Sequence, residues 1–168
     1  YGSSGVGTSQ HLAAELFQQM TGTKITHVPY PGSARMVTDM LGGQVAMTFD
    51  NVPLLLPHVQ AGKLTMLATA TAKRAAFDEK VPAVAEFLPG FEAVAWHGFI
   101  APAGTPKEIV DKLAAEVQAC MKKPETIKKF SEAGAEAVAT SPKEFADYIA
   151  AEMTKWKAVI EKANLQVK

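Results

Sequence analysis

The chain has 168 residues, 48% of them apolar and 20% charged, with 17 basic side chains against 17 acidic ones. That length can bury a core as one domain or two small lobes, and the composition is globular. Zero formal charge, with no basic run longer than a pair, argues against nucleic acid or an anionic membrane as partner.

In chain order, the first informative segment is Gly2-Ser-Ser-Gly-Val-Gly-Thr-Ser9, placed directly before Leu12, Leu16, Phe17 and Met20. The pattern predicts a strand end, a tight loop and a helix over about residues 8–20. Unpaired N–H groups at a helix start, together with small hydroxyls, suit an anion. Thr21-Gly22 ends this helix, and 25–30 reads as a strand followed by a turn and cap at Pro31-Gly-Ser33. Met36, Val37, Met40 and Leu41 have helical spacing, stopped by Gly42-Gly43. Residues 45–49 read as the next strand. Asp50-Asn51 can cap a short helix that has Pro53 in its first turn and ends at Ala61-Gly62. Residues 64–70 are a further strand. Repeated strand–helix units predict an α/β fold with a parallel sheet and right-handed crossovers.

The rhythm breaks between about residues 73 and 104, where Pro82, Pro89 and Pro102 leave one strand candidate, residues 93–101. This stretch reads as a connection crossing between two lobes. The tail is helical. Thr105-Pro-Lys-Glu108 and Ser141-Pro-Lys-Glu144 have the form of capping boxes with proline at the first helical position. Pro124 opens a short helix that stops near Gly134. Apolar stripes (Ile109, Val110, Leu113, Val117 and Met121; then Phe145, Tyr148, Ile149, Met153, Trp156 and Ile160) read as core. Cys120, the single cysteine, permits no internal disulfide and reads as packed on its helix.

In a parallel sheet the loops at the carboxyl ends of the strands face one crevice. Three such loops align here. The first offers N–H groups and hydroxyls from Ser3, Ser4, Gly5, Gly7, Thr8 and Ser9. The second offers Gly32 for close approach and Ser33 as a cap. The third brings Asp50, which suits a ligand amine or hydroxyl, or else caps its helix. With Arg35 and Arg74 the only arginines, an anion would be held by backbone dipoles and hydroxyls.

Catalytic and cofactor chemistry fails at particular residues. No lysine follows Gly7, so there is no Walker-type hold on a nucleotide phosphate. The loop lacks the third glycine of a dinucleotide motif, and Val6 stands where a nucleophile elbow needs glycine. His11, His27, His58 and His97 have no metal-ligand spacing. His11, in the first turn of the predicted helix, reads as a surface or packed residue, with the crevice as its other reading. The expectation is no enzyme, no metal and no cofactor.

In order and spacing, several motifs resemble the periplasmic solute-binding receptors of tripartite tricarboxylate transporters, the Bug or TctC family. They are Gly2-Ser-Ser-Gly-Val-Gly-Thr-Ser-Gln-His-Leu12, His27-Val-Pro-Tyr-Pro-Gly-Ser-Ala34, Asp39-Met-Leu-Gly-Gly-Gln-Val45, Phe49-Asp-Asn-Val-Pro53, Pro57-His-Val-Gln-Ala-Gly-Lys-Leu64 and Ala101-Pro-Ala-Gly-Thr-Pro106. The resemblance covers essentially the whole chain. Pro31 and Arg35 depart from residues more usual in the family, which bears on ligand preference.

The resemblance implies a two-lobed, Venus-flytrap receptor of periplasmic-binding-protein type II, of which this chain is the second part. Residues 1–95 would be most of the second lobe, lacking its first elements, and residues 96–168 a crossover strand and helices returning to the first lobe. Ser3 to Ser9 resemble the family's carboxylate clamp, and Gly32, Ser33 and Asp50 match positions lining its cleft. The implied function is periplasmic capture of a small carboxylate for the membrane components of a tripartite transporter. Two other classes stay open: the effector-binding domain of a cytosolic transcriptional regulator, and a phosphate-binding α/β enzyme. If the chain begins at Tyr1, apolar stripes lose their cover, and a homodimer is the expectation.

Overall fold

The computed structural model describes residues 1–165. Its centre is a small parallel sheet built around Gly2–Ser3 (β1), which pairs in register with Val28–Pro29 (β2). Backbone bonds extend this ladder: Val28 N–H donates to Tyr1 O at 2.8 Å and Tyr30 N–H to Ser3 O at 3.0 Å. On its other side Gly2 N–H donates to Met47 O at 2.9 Å, and Gly2 bridges Thr48 in parallel. The spatial order is therefore 25–30, then 1–3, then 45–48, and chain direction around the sheet reverses at β1. Loops flanking such a reversal form the crevice of open α/β sheets.

Helices Ser9–Thr21 (α1), Ser33–Leu41 (α2) and Val52–Gln60 (α3) each begin just after one of these three strand segments. α1 ends at Gly22, whose φ of 70° forms a left-handed cap. Ala13 and Ala14 are both buried, and their small size lets α1 lie close to β1. A Cβ on Gly2 would stand 2.7 Å from Met36 Cγ and 3.1 Å from Val45 Cγ1, so glycine there lets α2 and the 45–48 segment close on the strand. Phe91 is fully buried, with its ring 6.1 Å from Phe17 and 6.4 Å from Phe49.

Lys107–Met121 (α4), Pro124–Glu132 (α5) and Pro142–Lys162 (α6) make up the tail. α6 returns to pack on α1, where Gln19 Nε2 donates to Val159 O at 2.9 Å. The expected capping box at its start is formed: Ser141 Oγ accepts from Glu144 N–H at 3.2 Å, and Glu144 accepts from Ser141 N–H at 2.7 Å. That N–H holds the Glu144 carboxyl below its usual range.

Several expectations need correcting. The box at Thr105 does not form, because α4 is capped one residue later at Pro106 and the Thr105 hydroxyl instead donates to Pro102 O at 2.8 Å. Residues 64–70 make only an isolated parallel bridge, Thr69 with Ala83. Residues 93–101 make no ladder among the described residues: Ala93 N–H donates to Ala70 O at 2.9 Å, but no strand or bridge forms along the segment. The apolar stripe of α4 is half-exposed to exposed, with no buried residue. On α6 the buried positions are Glu152 and Val159, while Tyr148 and Met153 are exposed. Cys120 is exposed rather than packed. Periodicity marked amphipathic helices but misplaced part of the α6 face, and a face becomes core only where another element covers it.

Candidate anion-binding site

The loop between β1 and α1 is shaped by two glycines with positive φ, Gly5 at 137° and Gly7 at 80°. Both conformations disfavour side chains. Within the loop the hydroxyls turn inward. Thr8 Oγ1 donates to Gly5 O at 2.8 Å. Ser3, fully buried, donates to Gly5 O at 3.0 Å and accepts from Gly5 N–H at 3.2 Å. Ser4 Oγ donates to Gln10 Oε1. Of the hydroxyls expected to meet an anion, three are thus committed to the loop's own shape, and the exposed Ser9 hydroxyl has no partner among the described residues.

The donors that remain belong to the backbone. The N–H groups of Ser9, Gln10 and His11 have no intrahelical acceptor, as at every helix start, and no loop atom takes them. Thr8 makes no side-chain cap either. Three uncommitted N–H groups at the positive end of a thirteen-residue helix attract negative charge.

Behind the loop lies a stack of rings that its composition did not reveal. His11 and His27 stack at 4.1 Å, and Tyr1 stacks on His27 at 4.8 Å. His11 Nδ1 accepts from Gly7 N–H at 3.0 Å, which puts the ring proton on Nε2, the nitrogen 3.7 Å from Glu15. His27 Nε2 lies 2.6 Å from Ser3 Oγ. Burial lowers the pKa of both histidines; Glu15 opposes this at His11, while the charge of His11 adds to it at His27. His11 therefore does not enter the crevice. It is buried and braces the loop from beneath.

The other two loops meet the first through Gln10, only 5% exposed in the opening turn of α1. Its Nε2 donates to Asp50 Oδ1 at 2.8 Å and to Ser33 Oγ at 3.2 Å. Its Oε1 accepts from both the hydroxyl and the N–H of Ser4. Ser4, Ser33 and Asp50 are so brought together, with Gly32 (φ 118°) turning the chain into α2 beside them. Asp50 Oδ1 also accepts from Asn51 N–H at 2.7 Å, whereas Asp50 Oδ2 is buried without a hydrogen-bond partner among the described residues. Asp50 therefore does not cap α3, whose N-cap is Asn51 with no side-chain cap, and it still has an oxygen to satisfy. Sequence reasoning missed Gln10 because a glutamine in a first helical turn carries no signal of its own. Its three partners are far apart in sequence.

Ser9 and Asp50 are among the residues lining a trough of about 2420 Å³, whose walls are largely apolar side chains such as Trp96, Phe99 and Leu113. The trough exceeds the size usual for a small-molecule pocket. Phe99 and Ile100 within it are 76% and 86% exposed. No group of side chains among the described residues could hold a metal ion, and none of their helices is long and apolar enough to cross a membrane.

Comparison with known proteins adds identity to this geometry. The family model for the tripartite tricarboxylate transporter family receptor matches residues 1–165. Protein BugT of Bordetella pertussis is 34% identical over 164 residues, covering 97% of this chain and 50% of its own length. Among solved structures, Rpa4515 of R. palustris with adipate superposes with a TM-score of 0.88 at 41% identity, covering 98% of this chain and 55% of that one. MatC from Rhodopseudomonas palustris with bound malate gives a TM-score of 0.79 at 27% identity, with 95% and 56% covered. The fold is thus that of the periplasmic binding proteins of this type, and the chain spans about half the length of the curated relatives it matches. These matches describe a transport receptor and lend no support to a regulator's effector domain. This chain belongs to the tripartite tricarboxylate transporter receptor family.

Proposed function

We propose that this chain is the carboxylate-capturing part of a periplasmic receptor that hands its ligand to the membrane components of a tripartite tricarboxylate transporter. The observation that carries the reading is the start of α1, where three uncommitted N–H groups sit beside the free hydroxyl of Ser9. Adipate and malate, held by two similar proteins, are both dicarboxylates, and that class is the first to try. One carboxylate rests on the loop Ser4–Ser9, with Gly5 and Gly7 keeping side chains out of its way. Ser33 and Asp50 line the same cleft.

Residues 1–95 serve as the ligand-binding lobe, and residues 96–168 cross towards a first lobe. Ligand bridging two lobes would favour the closed form by its differential affinity for that form. No bond is made or broken, and no nucleophile–base pair is needed.

The test is Thr8→Ala combined with Ser9→Ala in the complete protein. Loss of the brace on Gly5 and of the free hydroxyl is expected to weaken carboxylate binding at least about tenfold by calorimetry, the effect of one charge-assisted hydrogen bond. Unchanged affinity would remove this loop from the site.

A further inference from the structure

We infer that Gln10 is the positioning residue of the anion site: its side-chain amide fixes the loops after three successive strands in one register. The inference rests on the receptor reading above and adds to it a residue that acts through its neighbours.

A glutamine amide has two N–H donors and one oxygen with two acceptor positions. All four are used here, by Asp50, by Ser33 and twice by Ser4. Asp50 as a carboxylate can only accept, so the amide nitrogen must face it and the oxygen must face Ser4. The sequence separations are 40, 23 and 6 residues, and no other side chain among the described residues joins these three loops. The amide is buried, so water does not compete for these bonds.

Two consequences bear on the ligand. Ser4 N–H and its hydroxyl are occupied by Gln10, which leaves Val6 N–H, the N–H groups of the α1 start and the Ser9 hydroxyl as the free donors of the first loop. Asp50 is held by Gln10 and by Asn51 N–H on one oxygen alone, its other oxygen being buried and unpartnered. Gln10 is therefore one of only two groups among the described residues that hold this carboxylate.

Gln10→Glu distinguishes positioning from simple packing, because it preserves shape but replaces the donor with a second carboxylate. Two carboxylates at hydrogen-bond distance repel when both are ionised and bind when they share one proton. In the complete protein, with adipate as probe, Gln10→Glu is expected to weaken binding at least about tenfold at pH 8. At pH 5 it should return to within about threefold of the unsubstituted protein measured at the same pH. The thermal midpoint of the variant without ligand should show the same recovery relative to the unsubstituted protein. Equal affinity of the two proteins at both pH values would overturn the inference, and so would an equal loss at both. If the unsubstituted protein bound no carboxylate while the variant's midpoint still recovered at pH 5, the clamp would stand and the receptor reading would fall.

Discussion

At the scale of single residues, the loop before α1 is held by neutral imidazoles. His11 must keep Nδ1 unprotonated to accept from Gly7 N–H, and burial lowers the pKa of both His11 and His27. Below the ordinary histidine range the unfolded chain binds more protons than the folded one, so stability rises with pH through that window and is lost on acidification. The thermal midpoint should therefore fall as pH drops from 7.5 to 5, and His27→Phe, which keeps a ring in the stack, should flatten the fall. A midpoint that does not respond to pH over this range would mean that the histidines titrate freely. Nothing in the spacing of His11 and His27 announced their contact; a parallel sheet brings residues on neighbouring elements together without a local signature. The loop glycines were legible, because a positive φ at Gly5 and Gly7 leaves few other choices.

At the scale of elements, the punctuation of the sequence was most reliable where side chains satisfy backbone groups locally. Ser141 and Glu144 form the box their spacing predicts, and Ser141→Ala should lower the thermal midpoint by roughly 2–4 °C. A shift under about a degree would show that α6 is held by its packing on α1 alone. The strands were harder to read than the helices. A helix closes its own hydrogen bonds, whereas 64–70 and 93–101 carry strand-like residues whose ladder depends on a partner elsewhere. The α4 stripe fails as core for a similar reason: amphipathic spacing specifies a face but not what covers it.

At the scale of the whole molecule, three parallel strand segments in the order 25–30, 1–3, 45–48 set their following loops around one crevice. Gln10 then draws Ser4, Ser33 and Asp50 into contact there. The sequence motifs resemble the receptor family, and the family match over residues 1–165 agrees with them. In the proposed site the groups left to meet a ligand are backbone N–H groups of the α1 start, with the hydroxyls mostly committed to supporting the loop. The central claim, that this crevice captures a small carboxylate, is tested most directly by titrating the complete protein with mono-, di- and tricarboxylates and with inorganic phosphate in a calorimeter. Saturable, stoichiometric binding of a carboxylate, with phosphate inert, is the predicted result. Binding of phosphate with no response to any carboxylate would contradict it.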